Sequence, residues 1–337
     1  MSEWKPFTGV DDRVRLADVV PLDTPFTINV FPANVCNFRC QYCAQSRGAA
    51  HMKQEYDVSL DVMSMEVIEC LAEQICDFPH PIKLISMMGH GEPLCNPELP
   101  EMIAHLKQKA GDRIGRIDII TNASLLTPDY GQKLLDAGLD VLRVSLQGIS
   151  SESYQKICGV SLDFTRFYEN LAWFYAHKGK CQVYVKTMDV ALKSGEEEEF
   201  RRLFEPISDR IYIDQVKPVY DTVTYSAEQA DISVDRYGNT HEHRFVCSQP
   251  FYMFSVWPDG MITPCDALYH ASPLGNLTEQ PLMQLWNSPQ HRNFCRMQLE
   301  KKRGQHPACK RCCAPDDVIH ESDILDFAAP SLLKKFT

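Results

Sequence analysis

Apolar and polar positions alternate with two different periods between residues 26 and 218. Short β-branched runs at Phe26–Phe31, Lys83–Met87, Asp118–Thr121, Val141–Ser145, Gln182–Thr187 and Asp214–Pro218 read as strands. Between them, apolar residues at three- and four-residue spacing predict helices over Ser64–Ile75, Leu99–Lys109, Thr127–Ala137, Phe164–His177 and Glu196–Phe204. Local signals agree: Thr127-Pro128-Asp129 supplies a cap and a first-turn proline, and Gly138 follows the helix end. Strands joined through helices must be parallel, so the pattern predicts an α/β fold, a partial (β/α)6 TIM-like barrel. Residues 1–24 precede it as an N-terminal extension, and 25–220 form the barrel. The texture changes near residue 221, with more loops, a Trp257-Pro258-Asp259-Gly260 hairpin signal and widely spaced cysteines. A small cysteine-rich module is expected over 221–322, with a tail at 323–337.

Bulk properties narrow the function classes. A net charge of −11 argues against nucleic acid as partner, since phosphate binding needs clustered Lys and Arg. No apolar run approaches the ~20 residues that span a bilayer, and no export signal opens the chain. Fourteen cysteines in such a chain point to metal or redox use in a cytoplasmic setting, not to a disulfide framework.

The densest chemistry is Cys36-Asn37-Phe38-Arg39-Cys40-Gln41-Tyr42-Cys43, directly after the first strand. Three close thiolates hold an iron–sulfur cluster while leaving one iron open; a zinc site or core cysteines are the plainer alternatives. This C-x3-C-x2-C run, with Tyr42 before its last cysteine, resembles the signature of the radical S-adenosylmethionine (AdoMet) superfamily. The resemblance implies that Cys36, Cys40 and Cys43 carry a [4Fe–4S] cluster whose open iron is chelated by AdoMet. It also implies a one-electron donor such as flavodoxin or ferredoxin.

Strand ends carry the resemblance further. Gly89-His90-Gly91-Glu92-Pro93 is similar to the family's glycine-rich segment for the amino end of AdoMet. Thr121-Asn122 resembles its Thr-Asn segment. Ser145-Leu146-Gln147 resembles its Ser-x-Asp/Gln segment at the ribose or methionyl carboxylate, and Lys186 offers a cation for that carboxylate. Ser145 and Gln147 share one strand face by the two-residue period. In the second half, Cys247, Gly260-x4-Cys265, Leu274-Gly275-Asn276 and Cys309-x2-Cys312 resemble a SPASM/Twitch extension. Cys247, Cys265, Cys309 and Cys312 would close one auxiliary [4Fe–4S] cluster, with Cys313 competing for the last place and structural zinc as the alternative.

The family chemistry is reductive cleavage of AdoMet to a 5′-deoxyadenosyl radical, which takes a hydrogen atom from substrate. An auxiliary cluster able to accept the remaining electron implies dehydrogenation. A thiol donor implies epimerisation instead, and Cys95 and Cys158 are the candidates. An electron-transfer protein or a zinc scaffold are the non-enzymatic readings. About 25 residues precede the first strand, too few for a leader-recognition domain. That favours a small polar or sugar-like substrate, with a peptide as the other possibility.

Overall fold

The computed structural model describes residues 2–7 and 11–336. Its strands form one ten-stranded sheet in the order β1-β7-β6-β5-β4-β3-β2-β8-β9-β10. Six parallel strands make the barrel wall: β2 (Thr27–Val30), β3 (Leu84–Met87), β4 (Ile117–Thr121), β5 (Val141–Leu146), β6 (Gln182–Met188) and β7 (Arg210–Asp214). The short β1 (Glu3–Trp4) continues the wall in parallel beyond β7.

Alternation along the strands separates core from lumen. Leu142, Val144 and Leu146 of β5 face outward into the main core beneath the helices, while Arg143 and Ser145 take the other face. Helix Met65–Ile75 buries Val67, Ile68, Leu71, Ala72 and Ile75, the 3.6-residue stripe that covers a parallel sheet. Thr127 caps helix Pro128–Asp136 by accepting from Tyr130 N at 3.2 Å, and Gly138 leaves the helix region at φ +86°.

Three local expectations change. The last barrel strand is Arg210–Asp214, not Asp214–Pro218: Arg210 to Asp214 pair in register with Tyr184 to Met188, and the chain leaves the sheet after Asp214. Helices Ala49–Tyr56 and Ser151–Cys158 add to the expected set. The cysteine-rich region also joins the barrel sheet. Its β8 (Met253–Val256) lies parallel to β2, then turns at Gly260, φ +82°, into antiparallel β9 (Met261–Thr263) and β10 (Gly275–Asn276). Leu16 and Val20 near the start pack with Leu325, Ala329 and Leu332 near the end, so both terminal stretches share one small core.

Candidate functional site

After β2 the chain crosses the carboxyl ends of the strands, where parallel barrels keep their chemistry. Cys36, Cys40 and Cys43 lie there, each partly buried. Burial pushes the Cys36 and Cys43 thiols up, Cys43 to about 11, and the hydrogen bond to Cys158 together with burial pushes Cys40 up. Such thiols ionise near neutral pH when a metal takes the charge. Neighbouring loops hold this segment. Glu92 N donates to Val35 O at 2.9 Å, and Gln45 Nε2 donates to Asn34 O at 2.7 Å and His90 O at 2.8 Å. Asn122 Nδ2 donates to Asn37 Oδ1 at 2.9 Å. The Tyr42 hydroxyl is buried without a partner.

The Gly89–Pro93 loop is built for close approach. A Cβ on Gly91 would lie 2.4 Å from Ala33 O and 2.5 Å from Val35 O, so only glycine fits against the cysteine segment. Gly89 sits at φ +140° over the Phe31 ring. Glu92 takes three donors: Leu94 N at 2.9 Å, Thr121 Oγ1 at 2.5 Å and Asn122 N at 2.7 Å. Its carboxyl, pushed up to about 6 by burial, therefore braces the loop after β3 to the loop after β4. His90 is likewise committed: Nε2 contacts Asp266 O at 2.8 Å, Nδ1 lies 3.4 Å from Tyr220 Oη, and the ring stacks on Trp257. Burial lowers it to about 4 and keeps the imidazole neutral. Gln147 donates through Nε2 to Ser145 O at 3.1 Å and leaves its buried Oε1 without a partner.

Below these loops the lumen holds a cavity of about 210 Å³. A polar rung crosses four strands on their lumen-facing side: Ser255 pairs with Asn29, Asn29 with Ser86, and Ser86 with Asp118, with Asn29 and Ser86 lining the cavity. All four are buried, and Ser86 Oγ donates to Asp118 Oδ1 at 2.5 Å. Asn29 Nδ2 and Ser255 Oγ have no partner, nor does Gln249 Oε1 at the far wall. A buried polar group without a partner is costly unless a ligand completes it. Three cations on the lumen side are each met by a carboxylate: Lys186 with Asp214 at 2.6 Å, Arg143 with Asp118 at 3.2 Å, and Arg236 with Asp317, while Asp266 also lines the cavity with its carboxyl pushed up by burial.

Cys247, Cys265, Cys309 and Cys312 line a second, mainly apolar cavity. Burial pushes their thiols up as well, Cys312 to about 12. Gln249 borders this cavity and the lumen alike.

Comparison with known proteins decides the family. The Radical SAM superfamily matches residues 30–207, and the SPASM iron-sulfur cluster-binding domain matches residues 247–313. The chain belongs to the radical SAM superfamily. A probable GTP 3′,8-cyclase of Methanococcus maripaludis (strain C5 / ATCC BAA-1333) is 35% identical over 133 residues, 39% of this chain and 39% of that protein. The dTDP-4-amino-4,6-dideoxy-D-glucose ammonia-lyase of Streptomyces venezuelae is 30% identical over 151 residues, 44% of this chain and 29% of that enzyme. The match thus spans well under half the length of these curated relatives. The fold is shared with BtrN in complex with AdoMet and 2-DOIA (TM-score 0.53, 20% identity, 85% of this chain and 92% of that one). It is also shared with Streptococcus suis SuiB bound to precursor peptide SuiA (0.60, 16%, 83% and 69%).

Radical SAM membership brings a [4Fe–4S] cluster with AdoMet, and the SPASM region brings auxiliary cluster binding. The residues present fit both. The partly buried cysteine triad beside the orphaned Tyr42 hydroxyl suits the first group. In the second set the four thiols surround a cavity, the arrangement a multi-iron cluster needs. Cys312, not Cys313, lines that cavity.

Other expected roles are revised. Lys186 is neutralised by Asp214, whose carboxylate the sequence reading placed at a strand start, so it offers no free cation for AdoMet. Cys158 Sγ lies 3.6 Å from Cys40 Sγ, fully buried behind the cysteine loop and outside the lumen. Cys95 ends the short 3-10 turn Pro93–Cys95, also outside the lumen. Neither thiol lines that cavity. The residues the sequence reading passed over are Asn29, Ser86, Asp118 and Gln249. The first three stand at lumen-facing positions of strands, a signal that the two-residue period carries once the registers are known.

Proposed function

We propose that this radical SAM enzyme dehydrogenates a small polar, sugar-like molecule bound in the barrel lumen. The observation that carries the reading is the shared wall: Gln249 separates the lumen from the four-cysteine cavity. A substrate that fills the lumen as far as Gln249 therefore lies one side chain away from the auxiliary site.

When bound, the cofactors supply reductive AdoMet cleavage, hydrogen-atom abstraction and an acceptor for the electron left on substrate. Cys36, Cys40 and Cys43 would hold the first cluster, and Cys247, Cys265, Cys309 and Cys312 the auxiliary one. Tyr42, the Gly89–Gly91 backbone, Ser145 and Gln147 Oε1 orient AdoMet, with Glu92, Thr121 and Asn122 fixing the loops around it. Asn29, Ser86 and Gln249 offer donors and acceptors to substrate hydroxyls. Because Lys186, Arg143 and Arg236 are each already met by a carboxylate, the lumen favours a ligand without large negative charge over a polyanion. Electrons for AdoMet cleavage come from a cytoplasmic one-electron donor such as flavodoxin or ferredoxin. The radical epimerase alternative needs a lumen thiol, and the positions of Cys158 and Cys95 weigh against it.

Substrate class is tested by anaerobic incubation of reconstituted enzyme with fractionated cell extract, reading 5′-deoxyadenosine. Stimulation by the polar, sugar-rich fraction is expected. Stimulation by the peptide fraction alone would contradict the proposal.

A further inference from the structure

We infer that Gln298 and Arg303 are positioning residues that raise the reduction potential of the auxiliary cluster, an inference resting on its ligation by Cys247, Cys265, Cys309 and Cys312. Gln298 lies on the inner face of helix Pro289–Leu299 and is fully buried. Its Oε1 accepts from Cys247 N at 3.4 Å, and its Nε2 donates to Cys309 Sγ at 3.5 Å. The backbone N–H can only donate, so it fixes the amide oxygen on that side and leaves the NH2 facing sulfur. One carboxamide thus ties together two ligand residues that are far apart in sequence.

Arg303 follows just beyond the helix, in the turn Arg303–Gln305. Its Nη2 donates to Cys309 O at 2.9 Å and to Cys312 O at 2.6 Å, and its buried Nε has no partner. A guanidinium is a planar, delocalised cation. It therefore places a fixed positive charge in the wall of a cavity otherwise dominated by Pro250, Ala267, Ala271, Phe294 and Ala308.

Reduction adds one negative charge to a cluster. A cation and an N–H donor aimed at a ligand sulfur stabilise the reduced form more than the oxidised form. A low-dielectric wall strengthens both effects. The chain places these two polar side chains where apolar ones would pack with no polar group to satisfy, the arrangement expected if the site must accept an electron.

The test is an anaerobic redox titration, read by electron paramagnetic resonance. It uses the full-length chain carrying Cys36→Ala, Cys40→Ala and Cys43→Ala, so that the auxiliary signal stands alone. Gln298→Leu and Arg303→Met are each expected to keep about four irons. Each should lower the reduced-to-oxidised ratio at fixed potential about tenfold, about 59 mV for a one-electron couple. Arg303→Lys, which keeps the charge, should recover most of that shift. A loaded cluster whose midpoint ignores Arg303→Met overturns the inference. So does loss of iron from both Gln298→Leu and Arg303→Met, which would make the pair merely structural. Absence of iron before either substitution overturns the ligand assignment itself, a failure distinct from the other two.

Discussion

His90 shows how a residue in a cofactor-binding segment can be spent on structure. Its ring stacks on Trp257 and meets Asp266 O, joining the Gly89–Pro93 loop to the cysteine-rich region. With its pKa held near 4, against about 6.5 in the unfolded chain, its contribution is complete above pH 6.5 and is lost as pH falls toward 4. At pH 5 the loss is about 2 kcal/mol. His90→Phe should lack this component, so urea titrations of the two proteins should diverge at neutral pH and converge on acidification. Parallel curves would remove His90 as a neutral-locked residue. Cys158 makes the second residue-scale case. Because it packs on Cys40 and not in the lumen, Cys158→Ala should keep AdoMet cleavage and product formation within about threefold of wild type, the scale of a packing change alone. A product-free variant that still consumed AdoMet would restore its role as hydrogen donor.

At the scale of elements, loops and rungs do separate work. Gly91→Ala drives a methyl into the carbonyls of Ala33 and Val35, so the cysteine segment must move. The expected outcome is loss of the first cluster with the auxiliary iron retained, measured by iron counting; full loading would mean the loop gives way without cost. Asn29→Leu should lower substrate-stimulated AdoMet cleavage by about tenfold or more, since a polar site loses much when a substrate hydroxyl goes unpaired. Its thermal midpoint should not fall, because Asn29 Nδ2 has no protein partner to lose. A lower midpoint would make that amide structural. Much of this level was legible in the chain. The β-branched runs located five barrel strands, and the cysteine spacings located both thiol sets. Pairing is where reading stopped. Asp214 was visible as a residue but not as the counter-ion of Lys186, because register between β6 and β7 is set by packing across strands. The polar rung was hidden for the same reason: Ser255, Asn29, Ser86 and Asp118 come from four strands and mean little until aligned.

Across the whole molecule, β8 lying on β2 joins the segments that carry the two thiol sets to one sheet, and Gln249 borders both the lumen and the four-cysteine cavity. The family places AdoMet chemistry at one set, and the SPASM region places an auxiliary cluster near the other. Replacing Cys309 and Cys312 by Ala should therefore leave AdoMet cleavage intact while product formation collapses; unchanged product would show that the auxiliary site takes no part. No helix among the described residues is long and apolar enough to cross a membrane. The central claim, oxidation of a lumen-bound substrate, is tested most directly by turnover in deuterated water with mass analysis of the product. The account predicts a product lighter by two hydrogens with no deuterium at the reacting carbon. A product of unchanged connectivity carrying one deuterium at an inverted stereocentre would contradict it.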